Sequence, residues 1–227
     1  MEASVPRNRI FHNAILFFRR SRMRRFLAAF PISPATTILD VGGTPLNWEL
    51  LEIRPRVTLL NHPGSHDATP GDFSVVEGDG RSLPFADASF DIVFSNSVIE
   101  HVGSAADQQR FANEIRRVGR QYWVQTPNRR FPVEPHLMTP LVHFLPLAWQ
   151  ARILRHFTVW QMIERPTGDR RLFYVEHYLS DIRLLAAADM AALFPDAALL
   201  RERLSGLTKS LVVFKVDPRL TSGRSTT

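Results

Sequence analysis

The sequence predicts an α/β protein, a three-layer αβα sandwich around a mostly parallel seven-stranded sheet whose last strand is antiparallel. Between residues 37 and 127, short β-branched and apolar runs alternate with helical patterns, which is typical of crossover units between parallel strands. Two further runs near the C-terminus, separated by a glycine-containing turn, predict a closing antiparallel pair. The 227 residues, 44% of them hydrophobic, suffice for one domain with a sizeable core.

The first element is a basic helical segment over residues 1–30. Apolar residues recur at helical spacing from Leu16 to Phe30, with arginines between them, and Pro31 and Pro34 end the pattern. This segment holds seven arginines and one acid, while the other residues hold 21 basic and 21 acidic groups. The net charge of +6 therefore belongs to one segment, and we do not expect a nucleic-acid-binding face, which would spread its charge more widely.

The basic segment has two interpretations. Its apolar face can pack on the sheet or cover a cofactor pocket, with the arginines in solvent, and we favour this one. Alternatively, residues 7–30 make a peripheral membrane contact, with arginines at anionic headgroups and Phe17, Phe18 and Phe26 in the interface.

The next elements form the alternating part of the domain, which we place at residues 31–218. A short helix is predicted in NWELLEI and a longer one in QQRFANEIRRV, whose apolar residues have helical spacing. The predicted strands are, in order, TTILDV, RVTLLN, FSVVEGD, SFDIVFSNS and RQYWVQTP.

The C-terminal half departs from this alternation. Residues 128–178 combine prolines, four histidines and many aromatics, which predicts a cap insertion of irregular or helical structure. A helix with Ser180 as its N-cap follows, then the strands ALLRERL and SLVVFKV as the antiparallel pair. Residues 219–227 are expected to form a disordered tail.

The stretch LDVGGTPLNWELL raises the question of function, because Asp40, Gly42 and Gly43 stand where a strand becomes a helix. Ligands of open α/β sheets bind beyond the carboxyl ends of the strands, where glycines let the backbone approach closely. By itself the stretch is equally a plain turn. It contains neither the phosphate-binding G-x-x-x-x-G-K-[ST] pattern nor a full G-x-G-x-x-G.

The residues at the ends of the next three predicted strands favour a ligand site at this turn. The second strand ends at Asn61, Asp79 follows the third, and the fourth lies in EGDGRSLPFADASFDIVFSNSVIEHV. In these residues the chain resembles the class I S-adenosylmethionine-dependent methyltransferases, within them the methyltransferase type 11 group, over roughly residues 35–127. The resemblance implies a Rossmann-like sheet, S-adenosylmethionine as cofactor, and methyl transfer by direct displacement to a small-molecule or lipid-like acceptor.

The resemblance also implies cofactor-binding roles for residues at the ends of four strands. They are Asp40, Gly42 and the neighbouring Gly43 under the methionine part, Asn61 at the ribose, Asp79 and Gly80 at the adenine amino group, and Ser95 and Asn96 near the sulfonium. The family turn usually has three alternating glycines, whereas Thr44 and Leu46 occupy the second and third positions here. Asn61 also replaces a carboxylate. These departures motivate the alternative of a non-catalytic binding or scaffolding protein on the same fold.

Three places hold candidates for a catalytic base. His101 follows the fourth strand beside Glu100, and Glu134 and His136 follow the fifth strand between stiffening prolines. His177 is the third. Each has a structural alternative: a helix cap for the first, a proline-shaped surface loop for the second and a packed histidine for the third.

No metal is expected, because the four histidines of the insertion match no standard ligand spacing and the chain has no cysteine. The absence of cysteine also fits a reducing compartment. No segment is long and apolar enough to cross a bilayer, and the N-terminus does not have the pattern of a signal peptide. We therefore expect a cytoplasmic protein, with membrane-peripheral location as the alternative.

The aromatic residues between 131 and 178 have two interpretations: they either cover an apolar or planar substrate or form the core of an extra helical layer.

Two further rival functions stay open. A nicotinamide-dependent enzyme on a similar sheet is a rival that the missing glycine pattern disfavours. A membrane-associated enzyme of lipid or surface-glycan synthesis differs from our interpretation only in substrate and location.

Overall fold

The computed structural model describes residues 9–64 and 73–217, with side chains from residue 16 onwards; the tail predicted at 219–227 lies outside this range. The helices are α1 Arg9–Ala29, α2 Leu46–Glu49, α3 Ala105–Val118, α4 Leu147–His156, α5 Val159–Glu164, α6 Gly168–Asp181 and α7 Ala187–Leu193. The strands are β1 Thr37–Val41, β2 Arg56–Asn61, β3 Ser74–Glu77, β4 Phe90–Asn96, β5 Gly119–Pro127, β6 Ala198–Leu204 and β7 Leu207–Lys215.

The seven strands form one sheet in the order β3-β2-β1-β4-β5-β7-β6. The pairs from β3 to β5 are parallel, while β7 is antiparallel to both β5 and β6. The predicted fold class, including the antiparallel last strand, is therefore confirmed. The carboxyl ends of β1 to β5 meet at one edge, with Val41 beside Leu60 and Ser95, and Asn96 beside Gln125.

Helices cover the two faces of the sheet. On one face, α3 and α7 pack through Phe111 and Met190 onto side chains such as Leu39 and Val41. On the other face, α1 packs together with Trp48 of α2 onto the strands. Successive residues of a strand point to opposite faces, so both faces of the central strands are apolar, as burial between two helical layers requires.

Helix α1 is an integral part of the second core. The ring of Phe26 is completely buried, with centroid distances of 5.2 Å to Phe94 and 5.7 Å to Trp123. Arg22, also buried, makes a bidentate ion pair with Glu202 of β6. The basic segment thus packs on the sheet as favoured, and the part of the membrane interpretation that places Phe26 in a lipid interface is wrong.

Within the described ranges, no helix combines the length and the hydropathy needed to span a bilayer. The longest helix, α1, carries arginines along the same stretch that buries Phe26.

The insertion after β5 holds α4, α5 and α6, which share a small core of their own around Leu154 and Val175. The predicted N-cap role of Ser180 is wrong, because Ser180 lies near the end of α6 and its hydroxyl donates to the Glu176 carbonyl, one turn earlier. The chain leaves α6 after Asp181 and starts α7 only at Ala187. Of the run predicted as one helix, the first two residues end α6, residues 182–186 are not helical, and only the second half forms α7.

The packing of α1 predicts a position-specific effect on stability. Phe26→Ala should lower the free energy of unfolding by about 3 to 5 kcal/mol, because a fully buried ring would leave a cavity between α1 and the sheet. Phe17→Ala on the same helix is the matched control. Phe17 is 62% exposed, so its loss should change stability by less than about 0.5 kcal/mol. Urea denaturation of both variants measures the difference, and equal effects would contradict the burial of α1.

Candidate functional site

A crevice of about 540 Å³ opens at the carboxyl edge of the sheet. Its floor is formed by the ends of β1 and β2, and its sides by the loops after β3 and β4. This volume lies within the range of small-molecule and cofactor sites. The predicted cofactor residues that line it are Gly42, Gly43, Asn61, Asp79 and Gly80, and His101 lines it as well.

The glycines of the first turn are required by contacts within the protein. Gly42 has a φ of +73°, and a Cβ there would lie 2.4 Å from a methyl group of Val98. A Cβ on Gly43 would lie 2.1 Å from the carboxylate carbon of Asp40. The missing Cβ atoms thus make room for neighbouring side chains, while both glycines also line the crevice, and their contact with a ligand stays a prediction.

Asp40 lies beneath this turn, completely buried, and it does not line the crevice. One carboxylate oxygen accepts a 2.7 Å hydrogen bond from the indole N–H of Trp48. The other, Oδ1, has no hydrogen-bond partner in the described part of the chain. Burial raises the pKa of Asp40 to about 7, against the opposing effects of the Trp48 hydrogen bond and the charge of Arg19.

The two polar residues predicted at the nucleoside end line the crevice, and each already has a partner in the protein. The side-chain amide of Asn61 donates to the Gly43 carbonyl at 2.9 Å, which ties β2 to the first turn. Asp79 makes a bidentate ion pair with Arg81, at 3.0 and 2.6 Å. The hydrogen bonds from Arg81 lower the pKa of Asp79, so this carboxylate is ionised at neutral pH.

The segment directly after β4 lines the crevice, whereas the two residues predicted at the end of β4 do not. Ser95 is buried and its hydroxyl donates to the Val41 carbonyl, while Asn96 accepts from Arg22 on the α1 face. Neither lines the crevice, so their contacts with a cofactor stay predictions. The next two residues, Ser97 and Val98, line it instead.

Ser97 has a φ of +57°, a conformation that is uncommon for residues other than glycine and frequent at functional sites. Its hydroxyl donates to the Gln125 side chain at 2.9 Å and its backbone N–H to the Gln125 carbonyl at 3.0 Å. These two bonds hold the turn that carries the chain from β4 to His101.

The catalytic candidates from two strands converge beside the crevice. The Nδ1 atom of His136 lies 2.6 Å from a carboxylate oxygen of Glu134, and its Nε2 atom lies 3.2 Å from Nε2 of His101. His101 also lines the crevice, so it connects the buried pair with the space above the sheet.

The loop after β5 explains why Glu134 and His136 are held in one pose. Glu134 is completely buried, and its carboxylate accepts from the backbone N–H groups of His136 and Leu137 as well as from the imidazole. The loop closes through the bond from the Glu134 N–H to the Thr139 carbonyl, across Met138 with its φ of +53°. These hydrogen bonds satisfy the buried carboxylate within four residues of chain.

Glu100, beside His101, reaches inwards rather than capping a helix. It is completely buried, one oxygen accepts a 3.0 Å bond from the Thr126 hydroxyl, and Oε1 is without a partner among the described residues. Burial raises the pKa of Glu100. The sequence signal that marks Glu100 is the Glu-His pair directly after β4, but no local pattern shows that its carboxylate is buried.

The two histidines differ in their surroundings. Burial, together with the charges of His136 and His177, lowers the pKa of His101 to about 3, so that this ring is neutral. Burial alone would lower the pKa of His136 too, but the hydrogen bond and the charge of Glu134 raise it above its usual value. In the protein alone, the neutral ring of His101 therefore faces the crevice and the imidazolium of His136 lies behind it.

A stack of rings connects the insertion with this cluster. His177 stacks on His101 with centroids 5.9 Å apart, and Phe173 stacks on His177 at 6.2 Å. The side chain of Phe173 is 61% exposed. Other large apolar side chains of the insertion are exposed too, among them Phe144, Trp149 and Met162, so the insertion presents apolar surface to its surroundings.

The comparisons with known proteins point to one family. A family model described as a methyltransferase domain matches residues 52–121. An uncharacterized methyltransferase of Mycobacterium sp. (strain KMS) is 37% identical over 93 residues, which is 37% of this chain and 34% of that protein. Another from Mycolicibacterium gilvum is 36% identical over 95 residues, 37% of this chain and 35% of its own. The chain thus spans about a third of the length of the curated relatives that it matches.

Solved structures match over most of the chain. The PH0226 protein of Pyrococcus horikoshii superimposes with a TM-score of 0.56 at 14% identity, over 86% of this chain and 89% of that one. A candidate O-methyltransferase of Nostoc punctiforme gives 0.52 at 9% identity, over 87% and 55%. At these identities the likeness concerns the fold.

The burial of Asp40 predicts that stability falls as pH rises from about 4 to above 7. The folded protein binds the Asp40 proton more tightly than the unfolded chain does, since its pKa is about 7 when folded and about 3.9 when unfolded. Between these values the unfolded state carries fewer protons, so stability is lost with rising pH, by up to about 4 kcal/mol. Denaturation curves across this range should show the slope in the wild type.

Asp40→Asn is the matched variant, because it keeps an oxygen for the Trp48 indole and removes the titration. It should be more stable than the wild type at pH 8 and close to it at pH 4. If the difference between the two proteins did not vary with pH, the assignment of a proton to Asp40 would be wrong.

Proposed function

Because this chain belongs to the class I S-adenosylmethionine-dependent methyltransferases, we propose that it transfers a methyl group from that cofactor to a small-molecule or lipid-like acceptor. The observation that carries the proposal is the position of His101, which lines the crevice and at the same time contacts the buried Glu134–His136 pair. One crevice wall thus combines a nucleoside-sized space with a neutral imidazole to which an acceptor hydroxyl or amine can hydrogen-bond.

The residues of the crevice fit the cofactor. Its volume of about 540 Å³ accommodates a nucleoside with an amino-acid tail, and its polar groups lie at the ends of neighbouring strands. When bound, S-adenosylmethionine supplies an electrophilic methyl group on a positively charged sulfur, which is a good leaving group. A carboxylate of this crevice can bind the cofactor and keep its hydrogen bonds within the protein, since each oxygen of an ionised carboxylate accepts more than one hydrogen bond.

Each crevice residue has a role in this proposal. Asn61 offers its side-chain oxygen to the ribose hydroxyls, because its nitrogen is held by the Gly43 carbonyl. Asp79 accepts from the adenine amino group with Arg81 keeping it ionised and oriented. Asp40 acts from below by supporting the turn of Gly42 and Gly43.

The acceptor side is assigned to His101, His136 and Glu134. As the new bond to the methyl carbon forms and the carbon–sulfur bond breaks, an acceptor hydroxyl or amine must release its proton. His101 is the neutral imidazole beside the crevice, and the buried Glu134 carboxylate orients the ring behind it. The protein therefore orients the acceptor beside this neutral imidazole, and orientation by itself lowers the barrier by several kcal/mol.

The insertion supports an apolar or planar acceptor. The column of Phe173, His177 and His101 leads from an exposed apolar surface to the crevice, and such rings stack on planar ligands. We propose further that the enzyme works in the cytoplasm and meets its acceptor in solution or at a membrane surface. The exposed Trp149 and Met162 favour contact with a lipid-like molecule over a strongly polar one.

The non-catalytic alternative is favoured by one observation, namely that Asn61 and Asp79 are each bound by a protein partner. In that case the crevice would bind neither S-adenosylmethionine nor its demethylated product. Isothermal calorimetry with both compounds decides between enzyme and binding module.

Asp79→Asn should weaken the binding of S-adenosylhomocysteine by roughly ten- to a hundredfold, because it removes a charged acceptor from the crevice. The matched control is Asp87→Asn, which also breaks an aspartate–arginine pair but lies outside the crevice with its side chain 80% exposed. The control should bind like the wild type. An unchanged affinity of the Asp79 variant would remove this residue from the cofactor site.

His101→Gln should lower the rate of methyl transfer by at least about a hundredfold while leaving cofactor affinity within a few fold. The assay follows release of S-adenosylhomocysteine with a panel of phenols, catechols and long-chain hydroxylated lipids as acceptors. His143→Gln, a histidine of the insertion that contacts the Arg129 carbonyl instead, is the control and should keep the wild-type rate. Turnover by the His101 variant at the wild-type rate contradicts its role, and turnover with none of the panel contradicts the proposed acceptor class.

A further inference from the structure

We infer that Glu100, His101 and His136 form a binding site for a divalent transition-metal ion, and that Zn²⁺ is the ion whose chemistry the donors fit best. The site adjoins the crevice but its binding of an ion does not depend on methyl transfer. No sequence spacing predicts this set, because two of its members follow β4 and the third follows β5. Of the four histidines whose spacing disfavoured a metal, only His136 belongs to it.

The donor atoms lie close enough together for the three side chains to converge on one ion. One ligand atom from each of the three side chains lies within 4.8 Å of the other two. The Nε2 atoms of His101 and His136 are 3.2 Å apart. With zinc–nitrogen bonds of about 2.0 to 2.1 Å, two ligands of a tetrahedral ion stand about 3.3 to 3.4 Å apart. The two imidazoles therefore need to move by only a few tenths of an ångström to share an ion.

Glu100 provides the independent observation. Its carboxylate is completely buried, yet Oε1 accepts no hydrogen bond in the described part of the chain. A buried carboxylate is costly unless cations and hydrogen bonds surround it, and the Thr126 hydroxyl satisfies only one of its oxygens. A metal ion beside the two histidines would complete its surroundings.

The partners behind His136 are those that metal-binding histidines have. Its Nδ1 atom is held by the buried Glu134 carboxylate, which leaves Nε2 to face His101 and Glu100. A carboxylate on the far nitrogen fixes the orientation of a ligand ring and raises its basicity. The flat stacking of His177 on His101 fixes the plane of the second ring in the same way.

The donor set selects the class of ion. Two imidazoles and one carboxylate suit zinc and neighbouring divalent transition metals, whereas magnesium and calcium prefer oxygen ligands alone. Three protein ligands also leave a coordination position open, as in catalytic rather than structural zinc sites. Because His101 lines the crevice, that position is accessible from the side where an acceptor oxygen would bind.

A direct hydrogen bond between the two rings is the competing explanation of the 3.2 Å contact. It requires a proton between the Nε2 atoms and no ion. It explains the ring contact but gives the Oε1 atom of Glu100 no partner, and this difference is why we favour the ion.

The test uses the 227-residue chain without an affinity tag, stripped with a chelator and titrated with ZnCl₂ in a calorimeter. The wild type should bind one equivalent, and MgCl₂ at the same concentrations should not. Glu100→Gln and His136→Gln should each weaken binding at least about a hundredfold, and Glu134→Gln about ten- to a hundredfold, as outer partners of metal ligands do. His143→Gln should stay within about twofold of the wild type.

Two results would overturn the inference: absence of stoichiometric Zn²⁺ binding by the wild type, or ligand variants that bind as tightly as the His143 control. Glu100→Gln keeps the shape of the side chain and removes a buried charge, so it should retain the fold, which circular dichroism and a melting curve check. Zn²⁺ should also raise the melting temperature of the wild type more than that of this variant. Since neither cofactor nor acceptor is present, the result is independent of the methyl-transfer assays.

Discussion

The parallel pairing of β4 with β5 is the constraint on which the candidate site depends. It places Asn96 beside Gln125, and the bonds from Ser97 to Gln125 extend the register one residue beyond the strand. The segments that follow the two strands therefore leave the sheet at the same edge. Glu100 and His101 come from one of them and His136 from the other, although 35 residues separate the two histidines. The Thr126 hydroxyl at the end of β5 completes the link by donating to Glu100.

Three buried carboxylates at this edge differ in how completely hydrogen bonds compensate their burial. Glu134 accepts from two backbone N–H groups and one imidazole, so its burial is compensated locally. Asp40 and Glu100 each have one oxygen with a protein donor and one without, as far as the described residues extend. Burial raises the pKa of both. A fold selected only for stability has little reason to keep such groups, since apolar replacements are often neutral or stabilising. Their presence at the edge where ligands bind is better explained by function.

The sequence predicted the strands well because each is a short apolar run bounded by turn residues, and the alternation with helices defined the sheet. It did not predict which face each residue takes. Asp40 and Val41 are neighbours, yet Val41 lines the crevice and Asp40 lies beneath the turn, since successive residues of a strand point to opposite sides. Ser97 and Val98 reach the crevice for a different reason: they follow the end of β4, where the positive φ of Ser97 turns the chain away from the strand direction. The partnership of Glu100 with His136 depends on tertiary contacts between two loops, which no local pattern contains.

The unusual first turn follows from the contact between Trp48 and Asp40. Pro45, with a φ of −52°, is the N-cap of α2 and stands between Thr44 and Leu46, the positions at which the family usually has further glycines. One turn of helix then places the Trp48 indole on the Asp40 carboxylate, while Gly43 closes over it because a Cβ would collide. The carboxylate of Asp40 therefore bonds within the protein and does not face the crevice, which presents backbone groups and Asn61 to a ligand. Under the proposed function, the ionised carboxylate that this crevice offers to a cationic cofactor is Asp79, which Arg81 holds by a bidentate ion pair.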